Sequence, residues 1–91
     1  MPAGPGGVAY GIRREEGRNG PRFVARMYER RGGGPYVYQM CYRTWKTLEV
    51  ALLTYAVEGV QCFPQKGVPP REISAEDVEA FLKSGFDDVS G

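Results

Sequence analysis

Residues Thr44 to Val60 read T-W-K-T-L-E-V-A-L-L-T-Y-A-V-E-G-V, with no proline among them. The stretch reads as one long amphipathic helix. Thr47 is placed to cap it, its hydroxyl accepting a backbone N–H, and Glu49 in the first turn meets the positive end of the helix dipole. Gly59 stands where a helix stops. At about 100° per residue, Leu48, Leu52, Leu53, Tyr55, Ala56, Val57 and Val60, with Val50 at one margin, cover well over half the circumference. Thr47, Thr54 and Glu58 take the remainder. Such an arc is too wide for a single sheet, so the helix is expected to lie on a sheet along one side and under other chain, or under a partner, along another.

Upstream of the helix, three stretches read as strands. Val8 to Glu16 begins with β-branched and aromatic residues, and G-R-N-G-P after it reads as a turn. Arg22 to Arg30 alternates, with Phe23, Ala25 and Met27 pointing to a core and Val24, Arg26, Tyr28 and Arg30 to an exposed face. R-G-G-G-P makes the next connection, and Tyr36 to Trp45 is the third strand, in which Tyr38, Met40 and Tyr42 alternate with Gln39, Cys41 and Arg43. Connections this short imply an antiparallel meander, because parallel pairing needs crossovers of about a dozen residues or more. Trp45, at the strand–helix joint, reads as core.

Downstream, Q-C-F-P-Q-K-G-V-P-P-R-E-I reads as irregular chain bent by Pro64, Pro69 and Pro70. Ser74 to Asp77, S-A-E-D, matches a capping box and opens a short helix with Ala75, Val78, Phe81 and Leu82 on one side and Gly85 as terminator. This helix, with Phe86 and Val89, is the candidate cover for the exposed part of the first helix's arc. The fold class expected is α+β, a three-stranded antiparallel sheet packed on one long helix, plus a short C-terminal helix. The organisation expected is a flexible leader at 1–8, a three-strand-plus-helix domain at 9–60, and a C-terminal extension at 61–91 whose short helix packs on that domain.

At 91 residues the chain makes one small domain that buries roughly two-thirds of the surface its unfolded form exposes. Its 42% hydrophobic and 25% charged residues are ordinary for a folded domain. The net charge of +1 hides a division: residues 1–46 hold nine basic and three acidic residues, residues 47–91 three basic and eight acidic. Eight of the nine early bases are arginine, whose planar fork suits phosphate and guanine edges. One half can attract a polyanion that the other repels. The same pattern also fits a solvated surface or pairing between the halves.

Catalytic and metal chemistry find little support. The chain has no histidine, which removes the usual zinc sets and the usual proton shuttle near neutral pH, and its two cysteines make no disulfide scaffold. Glu15 and Glu16 are adjacent and, on a strand, point to opposite faces, a poor acid–base pair. Cys41 has no histidine to activate it. No cofactor or metal site is expected, and no apolar run reaches the roughly 20 residues of a spanning helix.

The order strand, strand, strand, helix and the residues at its joints resemble the Apetala-two/ethylene-responsive-factor (AP2/ERF-like) DNA-binding domain. Y-G-I-R-R is similar to that family's Y-R-G-V-R segment, with Gly11, Ile12 and Arg13 in place, and R-F-V-A-R-M to its aromatic-x-Ala-x-Ile pattern. T-W-K-T-L-E-V-A-L-L-T-Y is similar to T-F-x-T-x-E-x-A-x-x-A-Y, with Thr44, Trp45, Thr47, Glu49, Ala51 and Tyr55 at the same spacing. The resemblance covers about residues 9 to 60. It implies that the sheet enters the major groove, with Gly11 and Arg13 on the first strand, Arg26 and Tyr28 on the second, Gln39 and Cys41 on the third, and Tyr55 touching a phosphate. Arg43 shares the face that the alternation assigns to Arg26, Tyr28, Gln39 and Cys41. Arg18, Arg30 and Arg31 are expected to be solvated turn residues that assist any polyanion.

Two functions follow as expectations. The first is a nucleic-acid-binding module of the transcription-factor kind, for double-stranded DNA, with RNA as a variant; it would work in the nucleus. The second is a small structural or accessory subunit of a larger assembly, such as an organellar ribonucleoprotein or membrane complex, that meets other subunits through the wide apolar helix and would work in an organelle.

Overall fold

A computed structural model describes residues 7–90. Its first three strands are β1 (Gly7–Gly17), β2 (Gly20–Arg30) and β3 (Tyr36–Trp45), paired antiparallel in sequence order as expected. Gly17 and Gly20 close the first hairpin around Arg18 and Asn19, and Gly20 takes a φ of 117° that only glycine adopts without strain. In the second connection Gly32 has a φ of 63°, and Arg30 Nε donates to the Gly34 carbonyl at 2.9 Å.

Helix α1 (Leu48–Glu58) starts and stops on the residues that the sequence marks. The Thr47 hydroxyl accepts from the Val50 N–H at 3.3 Å, and Gly59 ends the helix with a φ of 73°. It has 11 residues, shorter than the stretch read as helical, because Thr44 and Trp45 finish β3.

The fold class departs from expectation. The sheet has five strands in a mixed, curled half-barrel, strand-rich α+β with short helices, rather than three strands on one long helix. The segment read as irregular supplies β4 (Gln61–Pro64) and β5 (Glu72–Ile73), giving the order β4-β1-β2-β3-β5. β4 runs parallel to β1, with Gly11 beside Phe63, and α1 is the crossover that parallel pairing requires. β5 pairs with Tyr36 and Val37 at the other edge. Strands of four and two residues carry no periodic signal of their own; their pairing partners create them. The chain closes with α2 (Ala75–Lys83), capped by the Ser74 hydroxyl accepting from Asp77 N–H at 3.1 Å, and the single turn α3 (Asp87–Ser90). Of the leader expected at 1–8, residues 1–6 lie outside the described residues, and Gly7 and Val8 belong to β1.

Each face of the sheet carries its own core. On the α1 face, Tyr10, Ile12, Phe23 and Ala25 pack with Ala51 and Tyr55 of α1 and Val89 of α3, with Trp45 beside them. On the opposite face Ala9, Tyr28 and Tyr36 pack with Phe63, Ile73 and Val78. The second core corrects the reading of β2, whose face with Val24 and Tyr28 is read from the sequence as open: Tyr28 is enclosed in it, and Val24, outside both cores, is 2% exposed. It also corrects the role of the short helix. Val78 places α2 on the face away from α1, so α2 does not cover α1's outer side, where Val50, Leu53 and Val57 stay 49%, 66% and 81% exposed.

Strand β3 does not alternate as its sequence suggests. Register shifts between Ala25 and Arg26 and between Met27 and Tyr28 set Tyr38 across from Tyr28, Met40 across from Met27 and Arg43 across from Ala25. Each bulge adds one residue on β3 and changes which side follows. Tyr38 therefore meets Tyr28 at 5.6 Å between ring centroids, while Tyr42 turns to the α1 face, 5.5 Å from Tyr10 and 6.0 Å from Tyr55.

Candidate nucleic-acid interface

The ladder between β1 and β2 sets the charged residues. Directly paired residues share a face, so Gly11 with Arg26, Arg13 with Val24, and Glu15 with Arg22 put Arg13, Glu15, Arg22 and Arg26 on the face away from α1. Arg14 and Glu16 fall on the other side, joined by a salt bridge at 3.2 Å. Glu15 and Glu16 thus diverge, as adjacent strand residues must.

Arg13 and Arg26 converge on one carboxylate. Arg26 Nη2 donates to Glu15 Oε2 in a short contact, and Arg13 Nε lies 3.5 Å from the same oxygen. Both arginine side chains are 17% exposed and Glu15 37%. Val24 is directly across from Arg13, stands between Arg22 and Arg26 along the same face of its strand, and is 2% exposed.

The same register gathers charge at one end of the sheet. Arg13, Val24 and Thr44 lie in one row, Arg14, Phe23 and Trp45 in the next, and the tip of the β1–β2 hairpin projects beyond them. Residues 13–26 and 43–49 therefore share an end, with seven basic residues against three acidic ones, net +4. Arg18, Arg22, Arg43 and Lys46 are exposed there, and the Arg43 guanidinium sits 5.1 Å over the Tyr42 ring. At the far end, residues 29–31 and 71–79 hold five acids against three bases, net −2. Charge is therefore divided along the sheet, basic at the hairpin end and acidic at the other, rather than spread over a face.

The residues singled out in the sequence separate into three groups. Gln39, Cys41 and Arg43 are exposed on β3. Arg43, however, stands across from Ala25 and so lies on the α1 face rather than on the face of Arg26 that the alternation gave it, because a bulge intervenes between Ala25 and Arg26. Arg13 and Arg26 share a face, half-buried around Glu15. Gly11, Tyr28 and Tyr55 are enclosed and cannot touch a ligand. A Cβ on Gly11 would lie 2.9 Å from Gln65 Cδ, because the Gln65 amide rests on that glycine. Tyr28 donates its hydroxyl to the Pro70 carbonyl at 2.8 Å, and burial raises its pKa. Tyr55 is stacked on Tyr10 at 4.3 Å and met edge-on by Trp45 at 5.2 Å. Its hydroxyl is buried without a hydrogen-bond partner, and burial, then the neighbouring Tyr10, pushes its pKa far up. The phosphate contact implied for Tyr55 is excluded by that packing.

Sequence reasoning missed Glu15 as the anion of this cluster and Gln65 as the amide that seals Gly11. Alternation alone places 13 and 15 together, but joining them to 26 takes the register.

Among the described residues no group of three or more His, Cys, Asp or Glu is placed to hold a metal ion. A groove of about 600 Å³ between the 64–73 segment and α2 is walled by Pro64, Pro70, Ile73 and Phe81, with Gln65 in its lining. Ser84 also borders it, and its hydroxyl donates to the Phe81 carbonyl at 2.8 Å. No described helix is long and apolar enough to cross a membrane. The chain matches no protein-family model, and it has no significant match among curated proteins or solved structures.

Proposed function

We propose that this chain is a nucleic-acid-binding module that takes double-stranded DNA at the hairpin end of its sheet. The observation that carries the reading is the crowding of seven basic side chains, six of them arginine, onto that end by the pairing of β1, β2 and β3. A two-stranded ribbon fits a major groove about 12 Å wide, and β1–β2 projects past β3 as such a ribbon. Arg18 and Arg22 at its tip supply phosphate contacts that set position, and Arg43 and Lys46 flank them. The end of the sheet, rather than its whole face, is the binding element, because α2 and the 65–70 segment lie over the rest of that face.

The test is fluorescence anisotropy with random duplex DNA, and in parallel with structured RNA, at two salt concentrations. Affinity for duplex in the micromolar range that weakens steeply with salt supports the reading, since counterion release drives such binding. Arg18→Ala with Arg22→Ala reduces both affinity and salt slope. Absence of duplex binding at low salt overturns it, and preference for RNA moves it to a ribonucleoprotein.

A second reading, an accessory subunit held in a larger assembly, is favoured by the outer side of α1. Val50, Leu53 and Val57 stand three and four residues apart on one exposed stripe. Sedimentation of the isolated chain tests it: concentration-dependent association that Leu53→Lys abolishes supports a docking role for the stripe, and a monomer at every concentration removes self-association from that reading.

A further inference from the structure

Arg13, Glu15 and Arg26 leave more hydrogen-bonding capacity than they use. Two guanidiniums aim at the single oxygen Glu15 Oε2, and the trio keeps a net charge of +1. Arg13 Nε is close to that oxygen yet not hydrogen-bonded to it, and Arg26 Nε has no acceptor either; both nitrogens are buried. A buried N–H without an acceptor is destabilising, the more so on a charged group, so the cluster favours an anion with more oxygens than one carboxylate offers.

We propose that Arg13 and Arg26 form a phosphate seat that the Glu15 carboxylate occupies in the unliganded protein and vacates when a phosphate group binds. Arginine pairs hold tetrahedral oxyanions through several N–H groups at once, which one shared carboxylate oxygen cannot match. Glu15 has somewhere to go. Its direct cross-strand neighbour on the same face is Arg22, which is exposed, so the displaced carboxylate exchanges one cation for another. Its own exposure means that it leaves by rotating into solvent, with no movement of the strand. The chemistry is that of a phosphate oxyanion. It rests on the nucleic-acid reading only for its source, a polynucleotide backbone rather than free phosphate.

Glu15→Gln is the decisive variant, with Glu16→Gln as its control, since Glu16 lies one residue away on the opposite face and carries the same charge. Duplex affinity is measured by anisotropy. Thermal unfolding is followed in inorganic phosphate against chloride at matched ionic strength. Glu15→Gln is expected to tighten duplex binding about tenfold over Glu16→Gln, the worth of one charge-assisted hydrogen bond. It also raises the melting temperature in phosphate relative to chloride, and adding Arg26→Lys cancels both effects. In the wild-type chain, whose folding is not in question, the Arg13 and Arg26 Nε–H resonances shift on titration with inorganic phosphate. A response to phosphate without duplex binding keeps the seat and assigns it to free phosphate. Duplex binding in which the two glutamine variants are equal, with resonances unmoved by phosphate, overturns the seat and leaves the basic end standing.

Discussion

Gln65 donates an amide N–H to the Tyr28 hydroxyl at 3.0 Å while its side chain lies on Gly11. Tyr28 in turn donates to the Pro70 carbonyl, so one buried chain of hydrogen bonds ties the 65–70 segment to the middle strand. Gly11→Ala puts a methyl group into the amide. Gln65 is 6% exposed, and moving off the glycine breaks its hydrogen bond to Tyr28. The expected loss is on the order of 1–3 kcal/mol, the cost of stranding buried polar groups, read as a lower urea midpoint with an unchanged m-value. A midpoint equal to wild type refutes the tie.

Tyr55→Phe is expected to hold or raise stability, because it removes a buried hydroxyl that has no partner and leaves the ring contacts with Tyr10 and Trp45 in place. The same variant leaves duplex affinity unchanged. Weaker duplex binding would revive the phosphate contact that the resemblance implies and contradict the packing described above.

The two cysteines respond differently to thiol reagents. Cys41 is exposed, whereas burial pushes the Cys62 thiol up to about 11 from 9.0. At neutral pH Cys41 reacts with a chromogenic disulfide and Cys62 reacts on unfolding. The fold disfavours the Cys62 thiolate, so the stability linked to the protonated thiol is complete below its ordinary value of 9.0 and is lost as pH rises through about 11. Cys62→Ala removes that portion of the alkaline fall in melting temperature. An identical fall in the variant refutes the linkage.

Leu53 and Ala51 stand two positions apart on α1 and differ in exposure, 66% against 0%. Leu53→Glu is expected to shift stability by no more than about 0.5 kcal/mol, as exposed substitutions do. Ala51→Leu overpacks the core against Tyr10 and Ile12 and costs about 1–3 kcal/mol. Chemical denaturation of both variants checks the orientation of the helix, and a reversed ranking contradicts it.

The parts of this fold that were legible in the sequence are those with local causes. The meander, the Thr47 and Ser74 caps and the Gly59 stop follow from alternation, hydroxyl acceptors and a left-handed glycine, and each holds. β4 and β5 were not legible, because Q-C-F-P and E-I are strands only by virtue of β1 and β3 beside them. The apolar arc of α1 exceeds what one sheet covers, but its outer side stays exposed rather than overlaid as its width implies, and nothing local says that α2 goes to the other face. At the candidate site, Arg13 and Arg26 were read onto one face. Their capture by Glu15 depends on which residue of β1 stands beside which residue of β2, a long-range fact.

Because β4 lies parallel against β1, Phe63 beside Gly11, the first strand made keeps an open edge until residues 61–64 have been added. A nascent chain that has left the ribosome only as far as the end of α1 already holds three strands and a helix, yet Ala9 and Tyr28 lack the Phe63, Ile73 and Val78 that cover them. That intermediate shows water an apolar surface and an unpaired β1 edge together, the combination that recruits chaperones or aggregates. Release of the last third of the chain is therefore the committing step, and pauses in translation before residue 61 are expected to lower the yield of native protein.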